Sequence, residues 1–326
     1  MDSDDFNQIR LQNCDIDLLA VGETLIDFIS IETSDSLEDA ATFRRYQGGS
    51  PANIAVYISK LGGKAAVVSK VGAGAFGKFL KHELQKHNVS IDYLVVDPHV
   101  HTTFVFVSHT AGTPDFEALR NGDSQLTPDE VPEEAIMRAK VVHASSFALS
   151  REPCRSAVGK ALRLAHEKGK IVSLDPNYSP KIWPNYAEAK SVIRDMFRFA
   201  TVTKPSLDDA QRLFGSGYQP EEYIQMFQQM GPSLVVLTMG KDGSLVAQTG
   251  KPVIHVPSHS IKVLDATGAG DSFWAGFLAA LLDGNSPERS ALFAREIVEL
   301  KLQTIGPLPS SLDRAAIYAR LPDSIS

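Results

Sequence analysis

Six short runs rich in Val, Ile and Leu, at 16–21, 65–71, 141–144, 171–174, 201–203 and 234–238, alternate along the chain with stretches of helical periodicity. The helical stretches are 52–61, 76–87, 152–168, 208–213, 220–229, 272–282 and 287–303. Strands separated by helices cannot pair as tight hairpins, so the alternation predicts an α/β fold in which a parallel sheet is covered by helices. Two stretches break the rhythm: 27–31 with 42–46, and 102–108 with 115–120, the second pair joined through Ala111-Gly112-Thr113-Pro114. Both read as alternating strands linked by turns. Paired together they would form a small antiparallel flap outside the main sheet, suited to covering a substrate; a pair of edge hairpins would leave the same pattern. With 326 residues and no internal repeat or low-complexity linker, the chain suits one large α/β domain or two smaller ones.

An apolar content of 43% is that of an ordinary soluble enzyme. The net charge of −7 and pI near 5.7 argue against broad binding to nucleic acid or anionic membrane, while leaving room for a local anion pocket. No stretch approaches the roughly 20 apolar residues that span a bilayer. Residues 1–17 are acidic and polar, without a basic segment leading into an apolar run, so a soluble, unexported, cytoplasmic protein is expected. Cys14 and Cys154 lack metal-ligand spacing and are expected as reduced thiols, and the nine His show no ligand cluster.

Two glycine turns that feed helices carry the chemical signal. Asp265-Ala266-Thr267-Gly268-Ala269-Gly270-Asp271 runs into the apolar segment 272–278. Small residues at 268–270 let backbone N–H groups face a ligand at a helix N-terminus, where orphan donors and the dipole favour phosphate. A carboxylate at Asp271 is repelled by such an anion unless metal or nearby cations offset the charge, and a base that takes a proton from a substrate hydroxyl would justify it there. A glycine turn with a helix-capping Asp explains the segment equally well on its own. The second turn, Gly48-Gly49-Ser50-Pro51-Ala52-Asn53, sets Asn53 one turn into a helix, where its amide suits a polyol hydroxyl or caps local backbone. A dinucleotide oxidoreductase is disfavoured, because Val21-Gly22-Glu23-Thr24-Leu25 lacks the glycine spacing after the first strand.

Taken jointly, 48–61 and 265–278 resemble the two signatures of the ribokinase-like (pfkB) carbohydrate kinases. Lys70-Val71-Gly72 with Phe76-Gly77, Asp175-Pro176-Asn177, Lys204-Pro205-Ser206 and Thr238-Met239-Gly240-Lys241-Asp242-Gly243 follow in that family's order, over about 16–306. The resemblance implies a doubly wound, mostly parallel sheet flanked by helices, with a small β-sheet lid. It divides the chain into a leader, 1–15, and one kinase domain, 16–320, whose lid comes from about 27–47 and 97–121. It also implies ATP as donor and Mg²⁺ as companion. On this analogy Asp271 is the base and Gly268, Ala269 and Gly270 form the anion hole, while Asp27, Gly48, Gly49, Asn53 and Asp175 hold the acceptor. Arg120 is a candidate lid clamp for substrate or transferred phosphate, and a solvated edge-strand Arg would explain it equally well. Lys204, Thr238, Gly240, Gly243, Thr267, Gly268 and Gly270 lie on the ATP side, Asp209 is a candidate in the Mg²⁺ shell, and Asp265 and Thr267 match positions that hold K⁺ in several members.

Departures from the family pattern narrow the expectation. Ser206 and Asp209 stand where Asn and Glu are usual, so Asp209 would reach metal through water; the same pair also reads as a helix start with Ser206 as N-cap. Ser179 replaces an Arg common in fructokinases and 2-keto-3-deoxygluconate kinases, which weakens recognition of a carboxylate or phosphate and favours fructose as acceptor; Lys181 offers a point charge instead. Ala73 removes one polar contact, and 294–301 is more charged than the helix that usually flanks adenine. The expected activity is therefore fructokinase-like. A 2-keto-3-deoxygluconate, ribose or nucleoside kinase, and a catalytically silent ligand-binding relative, are the alternatives. A homodimer through the lid follows by analogy.

Overall fold

The computed structural model describes residues 14–110, 115–304 and 308–322; the leader up to residue 13 and the turn 111–114 lie outside them. In chain order the strands are β1 (Ile16–Val21), β2 (Leu25–Thr33), β3 (Phe43–Gly48), β4 (Ala65–Gly72), β5 (Ser90–Asp97), β6 (Phe104–His109), β7 (Phe116–Leu119), β8 (Ala139–Ser145), β9 (Ile171–Asp175), β10 (Val202–Thr203), β11 (Leu234–Thr238), β12 (Ser244–Gln248) and β13 (Ile254–Val256). Nine of them form one sheet in the order β13-β12-β11-β10-β9-β8-β1-β4-β5. From β11 to β5 every pairing is parallel, and β12 and β13 extend one edge antiparallel.

Side chains of the central strands are buried on both faces, as the continuous apolar runs require. On β1, Leu19 and Val21 join one core cluster while Leu18 and Ala20 join another, the period of two that a strand imposes. The first cluster is covered by helices Glu133–Arg138, Cys154–Glu167, Tyr186–Phe197, Leu207–Phe214 and Pro220–Met230. The second lies under Ser50–Lys60, Ala269–Leu282, Pro287–Leu302 and Arg314–Tyr318. Helices on both faces of a largely parallel sheet give the doubly wound fold. No helix among the described residues is long and apolar enough to cross a membrane.

The remaining four strands form a separate sheet, β3-β2-β6-β7. Each expected hairpin is present and antiparallel, but β2 and β6 join them in parallel, Ile26 opposite Phe104 through Ile29 opposite Val107. The flap is thus mixed rather than antiparallel, because β2 and β6 each follow the carboxyl end of a main-sheet strand, β1 and β5, and those two strands point the same way. An aromatic cluster fastens the flap to helix Ala75–Lys86: Phe28, Phe76 and Phe104 meet edge to face at 5.0–5.8 Å, and the Arg45 guanidinium lies 3.9 Å from the Phe79 ring centre.

Candidate active site

The carboxyl ends of the parallel strands open into a cleft of about 760 Å³, walled on one side by Val105 and Phe116 of the smaller sheet. This is the crevice where ligands of open α/β sheets bind. Glu23 follows β1, Asp175 ends β9, Lys204 follows β10 and Thr238 ends β11, and all four line the cleft.

Helix Ala269–Leu282 begins three residues earlier than its apolar pattern suggests, because Gly268 turns the chain with φ +72° and lets the helix start at once. Asp271 consequently sits in the first helical turn. Its Oδ1 accepts from Ser50 Oγ at 2.7 Å and its Oδ2 from Asn53 Nδ2 at 2.9 Å. The Asn53 amide is itself oriented, since Gln47 Nε2 donates to Asn53 Oδ1 at 2.9 Å. The two glycine turns, more than 200 residues apart in sequence, thereby meet on one carboxylate. Burial pushes the Asp271 carboxyl above the usual range, while Ser50, Asn53 and Lys204 pull the other way. Of the small-residue amides, Ala269 donates to Ala266 O at 3.2 Å, and Gly268 and Gly270 line the cleft beside it.

Asp27 on β2 faces the same space. Burial pushes its carboxyl up to about 7, with the Asp271 charge adding to the effect. A Cβ on Gly48 would lie 2.1 Å from Asp27 Oδ2, so the glycine makes room for this carboxylate. Gly49 has a different reason: its φ is +94°, and a Cβ there would meet the Glu23 carbonyl at 2.5 Å.

Deeper in the cleft, Lys204 Nζ lies 3.3 Å from Asp175 Oδ2, both side chains being buried. Burial raises the Asp175 carboxyl to about 6 against the opposing pull of Lys204. Burial alone would lower the Lys204 ammonium, but Asp175, Asp209 and Asp271 outweigh it and raise it. Asp209 lines the cleft with both oxygens engaged: Oδ1 accepts from Tyr178 N at 2.9 Å, and Oδ2 from Ser206 N and Ser206 Oγ at 3.0 and 2.5 Å. This completes a capping box on helix Leu207–Phe214. Thr238, Gly240 and Thr267 also border the cleft.

Three sequence assignments meet surroundings other than those expected. Arg120 does not line the cleft. Its buried guanidinium donates to Asp123 Oδ2 through Nε and Nη2 and to Phe147 O and Ser150 Oγ through Nη1, and it lies over the Phe147 ring. An Arg at a strand end next to a buried Asp is captured by that charge. Gly243 is absent from the cleft wall; it closes the turn before β12, where a Cβ would meet the Val256 carbonyl at 2.1 Å. The Asp265 carboxylate is engaged on both oxygens: Thr267 N–H donates to Oδ1 at 2.9 Å, and Lys301 Nζ lies 3.0 Å from Oδ2.

Sequence reasoning missed Ser50, Gln47 and Glu23. Ser50 and Gln47 border the glycine turn already singled out, and a hydroxyl and an amide next to a candidate base were the available signal. Glu23 is 2% exposed, accepts from Ser145 Oγ at 2.7 Å through Oε1, and leaves Oε2 without a partner. Burial raises its carboxyl to about 8.

Known proteins carry the same pattern. Residues 15–314 match the pfkB family carbohydrate kinase description. The chain belongs to the pfkB family of carbohydrate kinases. It is 36% identical over 293 residues to an ATP-dependent 6-phosphofructokinase of Thermoanaerobacterium thermosaccharolyticum, covering 90% of this chain and 89% of that one. It is 35% identical to the probable fructokinase-4 of Arabidopsis thaliana, covering 87% of each. The solved fructokinase of Halothermothrix orenii superposes with a TM-score of 0.78 at 37% identity, covering 90% of this chain and all of the other. This pfkB member is accordingly an ATP-dependent sugar kinase, a phosphotransferase with an alcohol acceptor.

Proposed function

We propose that this kinase moves the γ-phosphoryl group of ATP to a primary hydroxyl of a small neutral sugar, fructose first among them. The observation that carries the reading is the Asp271 carboxylate, half-buried in the first turn of a helix and held on both oxygens by Ser50 and Asn53. Asp271 takes the hydroxyl proton as the sugar oxygen bonds to phosphorus and the bond to the ADP oxygen breaks. A base whose carboxyl is raised above the ordinary carboxylate range is better matched to that proton at neutral pH. The Gly268 and Gly270 backbone and the helix N-terminus stabilise charge on the transferred group. Asp27 accepts from sugar hydroxyls on the acceptor side, with Gly48, Gly49, Asn53 and Asp175 shaping that half; Lys204, Thr238, Gly240 and Thr267 shape the phosphate side. The smaller sheet acts as a lid that keeps water from the phosphoryl group.

A divalent ion fits this cleft. Glu23, Asp27, Asp175, Asp208, Asp209 and Asp271 line it against two cations, Lys204 and Arg212, so an unaccompanied triphosphate would be repelled. Mg²⁺ carried in with ATP neutralises phosphate charge, and Asp209, with both oxygens already engaged, would meet it through water.

Neutral sugar is favoured over a sugar phosphate or acid by the cations on the walls. Among the described residues only Lys204 and Arg212 line the cleft as cations. Lys204 is bound to Asp175, and Arg212 lies 3.9 Å from Asp208. Lys181 is paired with Asp115 and Arg120 with Asp123. An ADP-release assay with fructose, fructose 6-phosphate, 2-keto-3-deoxygluconate, ribose and adenosine tests this: fructose is expected to give the highest kcat/KM, and preference for fructose 6-phosphate would overturn the choice of acceptor. A homodimer through the smaller sheet, whose Ile31 and Leu119 are exposed, is expected by sedimentation at micromolar concentration. Two unpaired cysteines and the need for ATP fit a cytoplasmic setting.

A further inference from the structure

We infer that the ammonium of Lys301 replaces the monovalent cation beside the anion hole, so that this kinase turns over without K⁺. The inference rests on the kinase reading for its rate measurement, though not for its binding measurement. Asp265 opens the loop that ends at Asp271, and its two oxygens are divided between jobs. Oδ1 accepts the Thr267 N–H and folds the loop toward Gly268, while Oδ2 faces Lys301 Nζ at 3.0 Å. The Lys301 and Asp265 side chains are only 4% and 17% exposed, so this is a sheltered pair rather than a solvated surface contact.

The lysine is also anchored where it is needed. It stands in the last turn of helix Pro287–Leu302, whose carbonyl end favours a positive charge. The loop is tied to that same turn, because Leu264 N–H and Asp265 N–H both donate to Leu302 O, at 2.7 and 3.3 Å. Helix end, ammonium and loop are therefore one unit, and the charge that steadies the loop is covalently attached. A K⁺ ion seeking the Asp265 carboxylate would meet an ammonium already in contact with it and be repelled. The unexpected charge near the end of this helix, a departure from the small residues usual there, thereby acquires a role.

The experiment compares wild type with Lys301→Met and Lys301→Gln in tetramethylammonium chloride and in KCl at equal ionic strength, with Mg²⁺ and the Tris salt of ATP. It reads both turnover and melting temperature. Wild-type turnover is expected to change less than twofold between the salts. The variants are expected to lose at least tenfold in tetramethylammonium and to recover with K⁺, and K⁺ should raise the melting temperature of the variants but not of wild type. Activation of wild type by tenfold or more in K⁺, or a K⁺-specific rise in its melting temperature, would overturn the inference, as would variants indifferent to K⁺ in both readouts. Absence of turnover with every sugar would count against the kinase reading alone, and the melting comparison would still decide the role of Lys301. If neither variant folds, K⁺ indifference of wild type upholds the inference and K⁺ activation or stabilisation defeats it.

Discussion

Two adjacent glycines show how differently the same residue type can be required. At Gly48 the obstacle to a side chain is the mobile end of Asp27, so Gly48→Ala is expected to push that carboxylate out of the acceptor half while the fold survives. Acceptor KM should rise tenfold or more, with ATP KM and melting temperature little changed, in steady-state kinetics and a thermal melt. At Gly49 the obstacle is backbone and φ is +94°, so Gly49→Ala should cost about 1–3 kcal/mol by urea denaturation. Glu23 yields a prediction about pH. Its carboxyl titrates near the ordinary value of about 4.3 when unfolded and at about 8 when folded, so the folded state holds a proton that the unfolded chain has released. Its contribution to stability is full below pH 4 and is lost as pH rises towards 8. The unliganded protein should lose melting temperature across pH 5–8, and Glu23→Gln should flatten that slope. Asp271 and Asn53 could be singled out because they follow short glycine turns whose chemistry is local, and Asp27, on β2, through the resemblance alone. Arg120 and Lys301 were not, since the partners that decide their roles, Asp123 and Asp265, are settled by which side chains are brought into burial together.

Helix Ala269–Leu282 carries Asp271 and is buried nearly all round, which its apolar sequence from 272 onward announced. Trp274 is fully buried, stacks on Phe277 at 5.0 Å and donates Nε1–H to Ser173 Oγ at 2.9 Å, pinning the helix to β9. Trp274→Ala is therefore expected to destabilise the protein by about 3–5 kcal/mol in urea denaturation. Elements with strong periodicity were placed by sequence to within three residues at their ends. Those that were missed lack such a signal. Helix Tyr186–Phe197 shows only Ala189, Ile193 and Phe197 to the core, a stripe too narrow to stand out among its charges. β5 and β13 are sheet-edge strands of mixed exposure. The parallel join between β2 and β6 was hidden for another reason. Periodicity reports which residues alternate, whereas strand direction depends on where each hairpin leaves the main sheet.

Across the molecule, one topological fact organises the chemistry. Seven parallel strands deliver their carboxyl ends to a single crevice, and the smaller sheet grows from two of those ends, so that sheet and the floor of the cleft share their attachments. The general plan was readable from the order of strand and helix signals. The cleft's charge balance was not, because its six carboxylates, Lys204 and Arg212 come from separate stretches of the chain and meet only after folding. On that balance the proposed base is Asp271, with the incoming phosphate to be steadied by amides and accompanying metal. The measurement that bears on it most directly is the turnover of Asp271→Asn beside wild type with saturating ATP and fructose, together with ATP affinity by calorimetry. Loss of a positioned base should lower kcat by about 10²–10⁴-fold while ATP affinity stays within a few-fold. An Asn variant that turns over at the wild-type rate would contradict the assignment.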